Sequence, residues 1–453
     1  MASDFSNYST DKVESYDMGH IVDELWSVVK DNRRQHERKW HNHNFFDDGF
    51  HFRFQSRQTN KIIDLSQAES LYNPIRAIPK ASKQIRGMAN LLLSIDPTPV
   101  VFPEKVNTYA FPPIEKPDPE TGQMTKVENP ELREALKEAK RIAKSSGHWL
   151  EEEFKKQDLI DKLAFMLILS AKNHISYIQV YPDAVKERLV TRVYDAFDIG
   201  VLGNVNELED SPFLIKAVPM FMSELMANED LNQTELQNVR PDNKMAASDA
   251  KDSYMKTRFG TTNLSSSKST VIPYEAYIKE YLNKHNRARI IKQKNADEIL
   301  ADKNDGDVVI RQTITADKKT LSDKYIKNPS YPFVEYRYEP GPLYGVAPIE
   351  RFIPANKSLD IITSRVERYT NAFPLGAMLQ AESEGNTNIT NSAGGLIIKY
   401  KAIPPTMAAI APLPSFIFNF MGYLTELIEE QGVSTSTLAK VPTGVRANAA
   451  IES

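Results

Sequence analysis

The stretch PFVEYRYEPGPLYGVAPIERFIPANKSLDIITSRVERYTNAFPLGAMLQAESEGNTNITNSAGGLIIKY, Pro332 to Tyr400, changes its hydrophobic period partway along, and that change sets the architecture. Phe333, Val334, Tyr336 and Tyr338 alternate as in a strand and run into a Pro-Gly-Pro turn. Beyond Pro348 the apolar residues Ile349, Phe352, Ile353, Leu359, Ile362, Val366, Tyr369 and Phe373 recur three or four apart, the spacing of an amphipathic helix. Pro374 ends it by restricting the residue before it and withholding an N–H. From Ala347 to Phe373 such a helix spans roughly 40 Å; if Pro354 starts the helix instead of kinking it, the rod is roughly 30 Å. Two apolar segments follow, Leu375–Leu379 and Leu396–Tyr400, around a polar loop, and predict a hairpin with a long tip.

Working outward, the rest of the chain reads as α+β. Met18–Asn44 predicts a helix whose end, RRQHERKWHNH, reads as a solvated basic terminus over a packed Trp40. Its His36, His41 and His43 lack the i, i+4 spacing of helical metal ligands. GFHFRFQ (Gly49–Gln55) alternates as a strand, and Asn73–Ile95 predicts a helix that Pro79 kinks or delays. Thr98–Phe102 reads as a buried strand, Phe111–Asn129 as a loop, and Pro130–Lys144 and His148–Lys172 as two helices, the second entering the core. Strands are expected in His174–Pro182 and Arg188–Leu202. Met222–Gly260 is mostly helical, interrupted at Pro241, and Gly260–Thr270 is a joint. A compact β-rich insert then begins at Val271, carrying KHNRARIIKQK and the strand Val308–Thr315. Ser415–Gly432 predicts a final helix with Gly432 as its cap. The helix-forming residues RANAAIES stop without a cap, so the natural protein is expected to continue past Ser453.

Composition narrows the function classes. The 453 residues suffice for two to four structural units, and with no cysteine there are neither disulfides nor thiolate sites, as suits a protein assembled in the cytoplasm. The polar start argues against a signal peptide, and no apolar run reaches the roughly 18 residues of a spanning helix, so a soluble protein without a membrane partner is expected. A net charge of -4 leaves no bulk attraction for nucleic acid. GxxxxGK[ST], HExxH and GxSxG are all missing, and 60 acidic residues guarantee chance carboxylate pairs, so neither catalysis nor a cofactor nor a metal is expected.

The order of elements resembles a known family. An α+β first half, a helix, a small insert, a long helix after PLYGVAPI, a hairpin and a helix ending in EEQGVSTSTLAKVPTGVRANAAIES resemble the portal, or head-to-tail connector, proteins of tailed double-stranded DNA bacteriophages, especially those of short-tailed phages. NPIRAIPKASKQIRGMANLLLSIDPTPVVFP (Asn73–Pro103) and HISYIQVYPD (His174–Asp183) resemble the family's early helix and strand, and the likeness extends from about Trp40 onward.

The resemblance implies residues 1–221 as the first part of a wing, 222–270 as a descending stem helix and joint, and 271–345 as a clip. Residues 346–374 are then the ascending stem and 375–453 the wing's return. It implies a ring, usually a dodecamer, at one capsid vertex of the virion, with double-stranded DNA passing non-specifically through it. The implied partners are the large terminase, tail adaptor proteins, and the major capsid and scaffolding proteins. On the stem helix Lys357, Asp360, Arg365, Glu367 and Arg368 form the polar side, expected to face the channel. Glu382, Glu384, Asn386, Asn388 and Asn391 belong either to a tunnel loop or to an ordinary exposed tip, with Ser434–Ala447 as a rival loop. Arg287, Arg289, Lys292 and Lys294 are either a docking surface for acidic partners or a solvated basic run. The competing classes are a virion scaffold or adaptor that does not line the channel, and a metal-dependent DNA-processing enzyme.

Overall fold

The computed structural model of the chain describes residues 18–56, 62–65, 77–94, 101–102, 114–117, 124–127, 129–183, 188–202, 205–242, 244–259, 270–293, 296–300, 303–372, 377–381, 390–392, 395–400 and 413–432. They form a mixture of helix and sheet, as an α+β chain should.

Helix α1 (Met18–Asp47) is the piece on which the first half is laid. Its apolar side buries Val22, Trp26 and Val29. From Arg33 onward the buried side turns polar: Arg33, Glu37, His41, His43 and Asn44 lie inside with Trp40. The solvated basic terminus expected there is therefore corrected. Arg33 is fully buried because its donors are met: Nε reaches Glu37 at 2.6 Å, and its terminal nitrogens donate to the carbonyls of Ile199 at 2.6 Å, Phe197 at 2.9 Å and Ala196 at 3.2 Å. A charge with all its hydrogen bonds made can leave water.

After α1 come an antiparallel ribbon of β1 (Arg53–Gln55) and β2 (Ile62–Asp64), and α2 (Lys80–Leu93), which starts directly after Pro79. The expected loop between Phe111 and Asn129 holds a hairpin of β3 (Ile114–Pro117) and β4 (Met124–Val127). At residue 102 there is no strand, and Phe102 is exposed; the rest of the expected Thr98–Phe102 strand lies outside the described residues, apart from Val101. Helix α3 (Pro130–Lys156) is continuous through Ser145-Ser146-Gly147, where a break was expected. One glycine costs a helix only about 1 kcal/mol, and the Asn129 side chain, accepting from the Glu131 N–H at 3.0 Å, fixes the start. The break falls at Asp158, which is left-handed at φ 48°, and α4 (Leu159–Asn173) follows.

Strands β5 (Ile175–Asp183) and β6 (Arg188–Asp195) make a hairpin, with β7 (Ile199–Val201), β8 (Phe213–Ala217) and β9 (Met220–Phe221) after it. Among the described residues between Met222 and Phe259 there are three short helices, α5 (Met222–Met226), α6 (Gln233–Leu236) and α7 (Asp249–Phe259), instead of a descending rod. Pro241 and several Asn and Asp residues between them supply turn chemistry that outweighs helix propensity.

The expected insert is built from β10 (Thr270–Val271), β11 (Tyr274–Tyr281), α8 (Lys284–Ile290), α9 (Ala296–Leu300), β12 (Val308–Ala316), β13 (Lys319–Ile326) and β14 (Phe333–Arg337). It does not close on itself. β13, β12 and β11 continue antiparallel into β8 and β7 as one five-stranded sheet, while β14 pairs with β5 in a three-stranded sheet with β6. The two sheets share a core of Ile175, Tyr177, Phe197, Leu214, Tyr277 and Phe333 with Trp40 of α1.

The long helix is α10 (Ile349–Ala372), continuous with Pro354 inside it. Its face with Ile349, Phe352, Ala355 and Leu359 packs on α2 and on α11 (Ser415–Glu430). Between them lie β15 (Ala377–Ala381), β16 (Thr390–Ser392) and β17 (Gly395–Tyr400). The expected hairpin is corrected here: β15 and β17 pair in parallel, and β16 is the antiparallel partner of β17. Among the described residues no helix is long and apolar enough to cross a membrane.

Candidate functional site: the polar seam of the long helix

Asn356, Asp360 and Ser364 lie four apart on α10 and so share one face, and all three are buried. Pro79, before the first residue of α2, offers no side-chain cap, which leaves helix N–H groups to be met from elsewhere. α10 meets them. Asn356 Oδ1 accepts from the Ala81 N–H at 3.0 Å and its Nδ2 donates to the Ile78 carbonyl at 2.9 Å. Asp360 Oδ1 accepts from the Ile78 N–H at 2.9 Å and from Asn356 Nδ2 at 3.3 Å, while Oδ2 meets Nδ1 of His51, whose ring stacks on Phe46 at 4.0 Å. A carboxyl group placed at the start of a helix also complements its dipole.

Asp360 therefore does not join the channel-facing set. It is an internal clasp between α10, α2 and the segment after α1. Lys357, one turn earlier, is half-buried over the Phe52 ring at 5.9 Å, and burial lowers its pKa against the opposing pull of Asp360. Arg365 is exposed, Glu367 is half-buried, and the side chain of Arg368 lies outside the described residues. Among the described side chains of the set, Arg365 is the exposed one.

At the other end of α10, Glu350 accepts from Lys39 at 3.2 Å and lies 3.9 Å from His43, whose Nδ1 is 2.8 Å from the Lys172 carbonyl. Asp47 pairs with Lys172 at 3.3 Å and accepts from Ser82 at 2.7 Å. The end of α1 thus ties α10, α4 and α2 together. Burial depresses the histidines of this region: His41 is lowered to about 4, and His36, His43 and His174 are lowered as well.

Of the basic run, Arg287 is half-buried and committed to Asp305 at 3.1 Å and to the Lys303 carbonyl at 3.2 Å. Arg289 is half-buried, Lys292 is exposed, and Lys294 lies outside the described residues. Arg287 and Arg289 belong to α8, and Lys292 to the turn after it. Glu382, Glu384, Asn386 and Asn388, and the rival loop Ser434–Ala447, lie outside the described residues, while Asn391 is in β16.

A second polar cluster joins the two sheets. Gln179 of β5 accepts from Tyr194 at 3.1 Å and from Lys216 at 3.2 Å, and donates to Tyr277 at 3.3 Å. Glu275 pairs with Lys216 and accepts from Gln312 at 2.7 Å, which holds its carboxyl below the usual range despite burial. A polar groove of about 240 Å³ lies between α1 and α7, with Lys30, Arg34, Asp31 and Asp249 on its walls. Among the described residues no group of three His, Asp or Glu side chains is disposed to hold a metal.

His51, Asn356 and Glu350 went unselected in the sequence. Asn356 and Glu350 lie within the helical period, and a polar residue four before Asp360 is the signal that marks a buried seam. No family model matches the chain, and no similar sequence occurs among curated proteins.

Proposed function

We propose that this chain is a portal protein of a tailed double-stranded DNA bacteriophage. Copies of it assemble as a ring, of about twelve subunits by the resemblance, through which the genome is packaged by a docked terminase and later released into the tail. The observation that carries the reading is α10: one 24-residue helix directly after the sheet module, clasped along its first half to α2 and α11. Beyond Ser364 it keeps no fully buried side chain among its described residues. A rod fixed at one end, with its other end left for neighbours or a channel, is what a conduit built of repeated subunits requires. Mixed charge suits such a wall, because a uniformly basic one binds phosphates too tightly for them to slide.

The partners that follow are other copies of the chain, the large terminase, tail adaptors, capsid and scaffolding proteins, and DNA held without sequence preference. The place of action is the capsid vertex. One observation favours a second reading, an adaptor ring that does not line a channel. The segment 222–259 is three short helices, so a two-rod stem is not formed by these residues.

Native mass spectrometry with electron microscopy of the purified chain tests both. A closed ring whose axial hole is walled by α10 supports the portal. A ring with α10 away from the hole supports the adaptor. A chain that stays single at every concentration and enters no capsid overturns both.

A further inference from the structure

Two helices of the chain leave large apolar side chains exposed, and the two surfaces are unlike each other. On α11, Leu424 and Ile428 pack inward against α10 and α2. Flanking that pair along one side of the helix are Phe416, Phe420 and Tyr423, spaced i, i+4, i+7, with Phe416 67% and Tyr423 55% exposed and the last two rings 6.2 Å apart. The same side ends in Glu426 and Glu430, both exposed, and α11 contains no lysine or arginine. The partial negative charge of a helix C-terminus adds to theirs.

On α3, Leu132, Ala135, Ala139, Ile142, Ser146 and Trp149 keep the alternating three-four spacing of a helix-packing seam, with Ile142 and Trp149 exposed and the other four half-buried. Only Ala143 and Glu153 of its 27 residues are buried, and Ile142 and Trp149 are 55% and 47% exposed. Beside this stripe the segment 137–144 carries Lys137, Lys140, Arg141 and Lys144 against the single carboxylate of Glu138, which is paired with Arg141. An aromatic face ending in acid therefore exists on the same molecule as an apolar stripe flanked by base.

We propose that the aromatic face of α11 on one copy seats on the apolar stripe of α3 on the next, with Glu426 and Glu430 meeting Lys140 and Lys144. Because the two surfaces differ, the contact is head-to-tail and closes only by rotation, as a ring does. The aromatic rings supply the contact area and the charges fix its register and direction. The inference rests on ring assembly as proposed above.

The test is the assembly of the purified full chain, read by native mass spectrometry and sedimentation, in wild type, K140E/K144E, E426K/E430K and the four-fold combination. Each double reversal is expected to raise the chain concentration at half-assembly by about tenfold or more, and the combination to return it to within about threefold of wild type. All these positions are exposed, so far-ultraviolet circular dichroism and denaturant midpoints should stay at wild-type values and separate lost contact from lost fold. A wild-type ring that both reversals leave unaltered overturns the interface while leaving the ring standing, as does a combination no better than either reversal. A wild type that never assembles overturns both.

Discussion

The Asp360 carboxyl has no exposed surface and takes hydrogen bonds from the Ile78 N–H and Asn356 while meeting His51, so removing it strands several buried polar groups together. Asp360→Ala should lower stability by about 3 to 5 kcal/mol, and Asp360→Asn, which keeps an acceptor for Ile78, by about half that, both read from urea denaturation. His41 sets a second expectation, in pH. Burial lowers its folded pKa to about 4, whereas the unfolded chain titrates near 6.5, so between these values the unfolded state binds more protons. Stability is therefore intact above about 6.5 and falls as pH drops toward 4, by up to about 3 kcal/mol from this group. His41→Phe, which keeps a ring against Phe45, should flatten that dependence when denaturation midpoints are compared between neutral and acid pH. Neither residue was legible beforehand. Charged and polar side chains in a sequence read as solvated because most are, and only the partners decide otherwise. For Arg33 and Asp360 those partners include, beside a side chain four positions away, backbone groups more than 150 and 250 positions away, respectively.

Elements whose signal is local were legible. The 3.6-residue period of α10 and the Pro79 boundary of α2 lie in the sequence within a few residues of where they act, whereas the cap of α11 is Gln431 in a right-handed conformation and not Gly432 as expected. Pairing was not. The parallel arrangement of β15 and β17, and the joining of β11 to β8 across more than fifty residues, depend on which surfaces meet in three dimensions. Short apolar runs carry no record of that choice. The packing of α1 on β7 shows how close such choices run. A Cβ at Gly200 would fall 2.6 Å from the Trp26 ring and 2.8 Å from Val29, so Gly200→Ala forces these side chains of α1, or the strand, to shift. It should cost about 1 to 3 kcal/mol, with a loss of near-ultraviolet tryptophan ellipticity. At the sheet's rim the Gln157 side chain stands in for a missing strand, donating to the Leu189 carbonyl at 2.6 Å and accepting from the Thr191 N–H at 2.9 Å. Gln157→Ala should remove about 1 to 2 kcal/mol and leave the β6 edge open, with light scattering rising on heating before the wild type's does.

At the scale of the whole molecule, the surface is organised by polarity of direction more than by net charge. A chain at -4 overall has no strong attraction for itself or for DNA, so an assembly must be written in local contrasts such as acid-ended α11 and base-flanked α3. Two unlike faces and two like faces make opposite forecasts for a mixing experiment. If the interface were isologous, each copy would present the same patch, and breaking it in one variant would abolish that variant's every contact. With unlike faces, a copy broken only on α3 keeps a working α11 face, and a copy broken only on α11 keeps a working α3 stripe. Mixed in equal amounts, K140E/K144E and a Phe420→Asp/Tyr423→Asp variant should therefore pair once and stop, because each contact uses the single intact face of each partner. The expected native mass is that of two chains, with neither variant pairing alone at the same concentration. Rings recovered from the mixture, or single chains only, would mean that α3 and α11 do not form one directional contact.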